Sequence, residues 1–320
     1  MRLLVTGGTG FVGGAVLHRA ASDSSIELRA AIRRDAAGLP AGVETVPVGD
    51  LGEGIDWSHA VYGVDAIVHA AARVHVMDDD AVDPLAEFRA VNVAGTIHLA
   101  REAARADVRR FVFVSSIKVN GEQTAPDRPF TAHDSPTPAD PYGVSKLEAE
   151  QGLRVVARET GLEVVIIRPV LVYGPGVRAN FRAMMRWIHR GIPLPLGAIH
   201  NRRSLVALDN LVDLAVRTLT HPAAANQTFL VSDGEDLSTT ELLRRTAAAM
   251  GKRARLIPVP SSLLATAARV AGKGNVANRL LGSLTVDIAK TRELIGWSPP
   301  MNVDRALEMT VAHYLAHESQ

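Results

Sequence analysis

The chain has 320 residues, an apolar fraction of 47% and a formal net charge of +1, enough apolar material for a sizeable α/β core. Sparse aromatics and the absence of any long run of like charge exclude a nucleic-acid surface and point to a small-molecule partner. The lack of cysteine excludes a disulfide framework and thiolate chemistry. No apolar run approaches the roughly 18 residues needed to span a bilayer. The first strand starts at Arg2, where a signal peptide would have no room. The expectation is a soluble, cytoplasmic protein.

The apolar strand Leu3-Leu4-Val5 runs directly into Thr6-Gly7-Gly8-Thr9-Gly10-Phe11-Val12-Gly13. Glycines at 7, 10 and 13 let a chain turn sharply, approach a pyrophosphate and lay the next helix on the strand. The free N–H groups at the start of that helix, about Phe11 to Ser22, would hold phosphate. A structural glycine turn is the alternative, but the next strand, Ile26 to Ile32, arrives where a βαβ unit requires it. That strand ends in Arg33-Arg34-Asp35. An acid here would bind the ribose of NAD, whereas arginine can pair with the 2′-phosphate of NADP, so NADPH is favoured with NAD possible. The alternative is a solvated basic turn.

Strands at Glu44 to Val48 and Asp65 to Val68 end in Gly49-Asp50-Leu51 and His69-Ala70-Ala71. In an open parallel sheet the ligand crevice lies beyond the carboxyl ends of the strands. Asp50 is thus placed for the adenine amine, with Leu51, Ala70 and Ala71 leaving room for the dinucleotide. His69 reads as a packed histidine. A long helix over Ala81 to Asp107 carries Asn92, a polar residue among apolar neighbours that would need local partners. The fifth strand, Arg110 to Val114, delivers Ser115 and Ser116 to the crevice.

Gly121 to Asp140 reads as a surface loop, and a helix runs from Pro141 to about Thr160. Tyr142 and Lys146 lie one turn apart on one face of it. An ammonium near a phenol favours the phenolate and would draw the tyrosine towards neutral pH. The sixth strand, Glu163 to Ile167, runs into Arg168-Pro169. Beyond it the pattern predicts helices over Asn180 to Arg190, Val206 to Thr220 (from Asp209), Thr239 to Met250, Pro260 to Gly272, Val286 to Leu294 and Val303 to His317. A strand over Gln227 to Val231 should rejoin the sheet.

With the glycine turn, Asn92, Ser116, Tyr142 and Lys146 in this order, the chain resembles the extended short-chain dehydrogenase/reductases over nearly its whole length. It looks most like their nucleotide-sugar branch, the UDP-glucose 4-epimerase-like proteins, and especially the 4-ketoreductases of bacterial O-antigen sugars. The resemblance implies an α/β fold: a Rossmann-type doubly wound parallel sheet over 1–172, receiving segments near 204–232, with a smaller, interwoven α/β substrate lobe over 173–320. It implies a homodimer through the Asn92 and Tyr142 helices. Ser116, five before Gly121, would bind the substrate oxygen, Tyr142 would be the acid/base, Lys146 its activator and ribose ligand, and Asn92 the support of a water relay. Pro169 would line the cofactor. Asn180 would meet the diphosphate, Pro195 and Leu196 the uridine, and Arg203 the phosphates, with Arg279 as a second phosphate-binding arginine. Dehydratases carry an Asp-Glu pair where this chain has Ile117 and Lys118, which argues against dehydration. The implied activity is NAD(P)H-dependent 4-ketoreduction of a UDP-linked 4-keto-6-deoxy-N-acetylhexosamine. The alternatives are a UDP-hexose 4-epimerase with bound NAD, a reductase of hydrophobic ketones and, more remotely, a non-catalytic NADP-sensing regulator.

Overall fold

In the computed structural model, which describes all residues except 35–36, 75–82, 273 and 319–320, seven parallel strands form one sheet. They are β1 (Arg2–Thr6), β2 (Glu27–Ile32), β3 (Glu44–Pro47), β4 (Ala66–His69), β5 (Arg110–Val114), β6 (Glu163–Pro169) and β9 (Thr228–Val231), in the order β3-β2-β1-β4-β5-β6-β9. Helices cover both faces, so the central strands are apolar on both sides: Leu3, Leu4 and Val5 in β1, and Phe111, Val112 and Phe113 in β5, are fully buried. The chain reverses direction across the sheet between β1 and β4, the switch point at which an open α/β sheet leaves a crevice. This is the Rossmann-type fold that the sequence implies.

Helix α1 (Phe11–Ala20) follows β1, the short α2 (Ser58–Val61) precedes β4, and α3 (Pro84–Phe88) passes through a wide π-helical turn, Arg89–Ala94, into α4 (Gly95–Arg105). The single long helix expected from Ala81 is therefore interrupted at Asn92, and positions 81 and 82, with Asp35 and His75, lie outside the described residues. Helix α5 (Pro141–Thr160) matches its expected span, with Asp140 capping its first turn and Gly161 in the left-handed conformation ending it.

The second lobe departs further from expectation. Pro169 does not end the extended structure: β7 (Leu171–Tyr173) follows at once and pairs in parallel with β8 (Arg203–Ala207), and β10 (Asp236–Leu237) adds antiparallel to β8. Residues 206 and 207, expected in a helix, thus belong to a strand, because Leu205, Val206 and Ala207 are buried on both faces of this small sheet. Helices α6 (Ala179–His189), α7 (Leu208–Thr220), α8 (Thr239–Ala249), α9 (Ser261–Val270), α10 (Gly274–Leu281), α11 (Ala289–Ile295) and α12 (Val303–Glu318) complete the chain. The loop from Gly121 is tied down by backbone bonds from Phe130 N–H to Thr285 and from Asp287 N–H to Phe130, at 2.9 and 2.8 Å. Where the two sheets meet, the Tyr173 hydroxyl donates to Asp233 at 2.8 Å, and Asp233 accepts from the Ala207 N–H and Asn210 Nδ2, both at 2.7 Å.

One buried ion pair locks α5 against the sheet. Glu150 and Arg168 are 0% and 2% exposed. Arg168 Nε reaches Glu150 at 2.9 Å, its second nitrogen bonds the other carboxylate oxygen, and a third bonds Asn120 Oδ1 at 2.9 Å. The Ser115 hydroxyl donates to Glu150 at 2.6 Å. Glu150→Ala would strand a buried guanidinium, and we expect a loss of about 3–5 kcal/mol of stability, read as a fall in the denaturant midpoint.

Candidate active site

The carboxyl edge of the large sheet collects most of the residues singled out in the sequence. At the glycine turn, Gly7 has φ +70°, and a Cβ there would come 2.8 Å from the Ala71 nitrogen; at Gly13 it would fall 2.3 Å from the Gly7 carbonyl oxygen. Only glycine allows this three-way approach of turn, helix and the β4 end. The Ala71 N–H donates to Thr6 Oγ1 at 3.3 Å, which places Ala70 and Ala71 against the turn. Phe11 and Val12 pack on the core while Thr9 and Gly10 are exposed.

The cradle fits a dinucleotide pyrophosphate. At Gly10 a Cβ would meet only the Gly7 carbonyl and otherwise project into open space. Helix α1 has no side-chain cap and no acid in its first turn, so its leading N–H groups face outward without a competing anion. At the β2 end, Arg33 and Arg34 are exposed and share the Asp50 carboxylate at 3.4 and 3.8 Å. Asp50, expected at the adenine, is thus paired with the two arginines, and Leu51 is half-buried behind it.

His69 is a structural residue. Its ring nitrogens meet Thr6 Oγ1 at 2.7 Å and Thr96 Oγ1 at 2.9 Å, and burial drives its pKa down to about 3, with the charge of Lys146 adding to the effect. Asn92, 1% exposed, sits in the wide turn and acts as a clasp. Its Oδ1 accepts the Arg73 N–H at 2.8 Å, and its Nδ2 donates to the Arg73 carbonyl at 3.0 Å and to Ser145 Oγ at 3.1 Å. The Ser145 hydroxyl donates in turn to the Tyr142 carbonyl at 2.8 Å.

The end of β5 and the first turns of α5 bring Ser116, Tyr142 and Lys146 into one neighbourhood. The Lys146 ammonium donates to the Val114 carbonyl at 2.9 Å and lies 4.5 Å from the Phe113 ring centre and 5.9 Å from that of Tyr142. Burial lowers its pKa to about 7, opposed by the charge of Glu150. Tyr142 differs from expectation: its phenol is pushed well above its ordinary value, by burial first and by the Asp140 carboxylate second. The reason is geometric, since the ammonium is directed at the Val114 carbonyl and the Phe113 face. Pro169 is buried at the end of β6, next to this cluster along the sheet edge.

On the smaller lobe, Asn180 is exposed in the first turn of α6. Pro195 is exposed, whereas Leu196 is buried and its carbonyl accepts from Thr240 Oγ1 at 2.6 Å. Arg203 donates to the Gly282 carbonyl at 3.0 Å, and its guanidinium pKa is lowered by burial and by the charge of Arg279. The structure thus brings the two arginines together, and none of the ion pairs among the described residues involves either. A guanidinium group has the planar donors that a phosphate takes up in pairs, which is the role the resemblance implies for both.

Sequence reading placed Ser115 at the crevice without a role and gave none to Ser145, Asn120, Glu150 and Arg168, which hold the cluster from behind. The spacing of Tyr142, Lys146 and Glu150, each four apart, was the available signal: it puts three titratable groups on one helix stripe.

Because the ordinary amine titrates near 10.5 and folded Lys146 at about 7, the unfolded chain holds the extra proton between these values and stability rises with pH across that window. Lys146→Met removes this dependence. Its melting temperature relative to the parent should therefore be higher near pH 7 than near pH 10, as read by calorimetry at both.

Comparison with known proteins agrees with this geometry. The model of the NAD dependent epimerase/dehydratase family matches residues 3–232. The UDP-glucose 4-epimerase of Vibrio cholerae is 45% identical over 98% of this chain and 95% of its own length. Among solved structures, UDP-glucose 4-epimerase with UDP-glucose from Thermotoga maritima superposes with a TM-score of 0.79 at 21% identity, covering 100% of both chains. UDP-glucuronic acid 4-epimerase from Bacillus cereus in complex with NAD gives a TM-score of 0.79 at 19% identity, covering 99% of both. These two share the fold. Glycine turn, strand-end serine and Tyr-x-x-x-Lys helix stand together here, and the chain belongs to the NAD dependent epimerase/dehydratase family, the extended short-chain dehydrogenase/reductases.

Proposed function

We propose that the chain is a UDP-hexose 4-epimerase working with NAD, and that the 4-ketoreductase expected from the sequence is the lesser reading. The observation that carries this is the 45% identity to a UDP-glucose 4-epimerase over 98% of the chain, in a protein with Ser116, Tyr142 and Lys146 at one sheet edge. Arg33 and Arg34 are the residues that point to NADP. Both share the Asp50 carboxylate, which offsets their charge and opposes a further phosphate. That favours NAD.

When bound, the dinucleotide supplies a reversible hydride acceptor for sugar C4. The chain's own residues manage the proton and the position. Ser116 binds the C4 oxygen, and Tyr142 takes its proton and gives it back. Lys146, anchored on Val114, is placed to donate to the cofactor ribose. Arg203 and Arg279 grip the diphosphate, so binding energy from the non-reacting nucleotide orients the hexose. Anchoring the nucleotide, and leaving the ring without an ion pair, lets the sugar present either face to the same Tyr142, which inversion at C4 requires. Ile117 and Lys118 supply no acid pair for elimination.

Denaturing the purified protein should release NAD, and the native protein should interconvert UDP-glucose and UDP-galactose, or their N-acetylated counterparts, without net oxidation. Release of no NAD, together with stoichiometric NADPH consumption on a UDP-4-keto sugar, would make the protein a reductase instead. Tyr142→Phe should lower kcat by about 10²–10⁴-fold with the nucleotide still bound. In Arg203→Ala the KM for the UDP-sugar should rise about tenfold or more while kcat changes less, because a charge-assisted bond to phosphate contributes about 1.5–3 kcal/mol. An unchanged KM would remove the diphosphate assignment.

A further inference from the structure

Asp140 has two tasks at the start of α5. One carboxylate oxygen accepts the Gly143 N–H at 2.7 Å and caps the helix. The other meets the Lys118 ammonium. Lys118 belongs to the turn Ile117–Val119 that follows β5, and its own N–H donates to Ser116 Oγ at 3.2 Å. One residue therefore touches both the strand-end hydroxyl and the cap of the helix that carries Tyr142.

We propose that Lys118 is a positioning residue of the proton-transfer site: its ammonium cancels the Asp140 charge next to the Tyr142 phenol while its backbone N–H aims Ser116. This deepens the epimerase reading and rests on it. The charged groups on the elements packed against the start of α5 leave Lys118 the means to do this. On α5 they are Asp140 and Lys146. From the turn after β5 come Lys118 and, 3.4 Å from it, Glu122. From α3 the Phe88 ring meets Tyr142 edge-on at 5.9 Å, with the Arg73 guanidinium 5.7 Å from the Phe88 centre and 3.8 Å from Glu87. Arg89 and Glu148 pair with each other at 2.6 Å on the exposed side. Of these carboxylates, Asp140 is the one that raises the phenol. Lys118 and Asp140 have only 26% and 20% of their side-chain surface exposed, so solvent screens the pair incompletely.

The test is the pH dependence of kcat/KM for UDP-hexose interconversion in the NAD-loaded enzyme, since base catalysis by Tyr142 is lost as the phenol gains its proton. Lys118→Met should move the acid limb up by about half to one pH unit, with a several-fold loss at neutral pH. Lys118→Arg should restore the limb. Adding Asp140→Asn to Lys118→Met should bring it back as well, because asparagine still caps the helix without charge. A folded, NAD-retaining Lys118→Met with an unmoved limb would overturn the proposal. So would a loss that neither Lys118→Arg nor Asp140→Asn reverses, since the pair would then be only a structural tie. If the parent turns over no UDP-hexose, the functional reading fails separately. The titration of ¹³Cζ-labelled tyrosine, assigned with Tyr142→Phe, still decides: an upward shift in Lys118→Met supports the proposal, and no shift ends it.

Discussion

The active edge of this protein depends on how α5 is rotated against the sheet, and that rotation is fixed by the Glu150–Arg168 pair. Glu150 is fully buried and takes bonds from Arg168 and Ser115, while Arg168 reaches on to Asn120. A carboxylate in such surroundings is stable only with its partners aligned, so the helix cannot turn about its axis without stranding two charges. Tyr142 and Lys146 lie on the same stripe, two turns and one turn nearer the helix start. The pair that secures the fold therefore also aims the chemistry. Asn92 does the same from the other side, holding the segment after β4 and, through Ser145, the first turn of α5.

Electrostatics in this pocket are governed by burial more than by neighbouring charge. Lys146 is pulled down to about 7 and His69 to about 3, each by loss of water first. Tyr142 is pushed up for the same reason. Burial thus favours the uncharged form of both groups, the neutral amine of Lys146 and the protonated phenol of Tyr142. Such a site responds to the residues at its rim. On the opposite lobe Arg203 is likewise lowered by burial first and by the charge of Arg279 second.

The elements that sequence alone made legible are those with strong local signals. The glycine turn, the buried strands β1 and β5, and the span of α5 were all readable, because their patterns follow from steric and periodicity rules within a few residues. At Asn92 the sequence offered an asparagine bonding local backbone groups or bending the helix, but not the π-helical turn itself, which is defined by backbone bonds. Strand β8 was not recognised, and its residues 206 and 207 were assigned to the following helix, because Leu205, Val206 and Ala207 form a short buried run that periodicity cannot assign. Its partners β7 and β10 lie more than thirty positions away along the chain.

The sequence by itself determined the fold class and the glycine turn, and singled out Ser116, Tyr142 and Lys146 as candidates, since each is written in residues that lie close together along the chain. The tertiary structure alone decided which charges meet. The pairing of Glu150 with Arg168, of Arg33 and Arg34 with Asp50, of Lys118 with Asp140, and the approach of Arg203 to Arg279 all join separate elements. A charge acts over distance in space and through the water excluded around it, and neither quantity is carried by the order of residues.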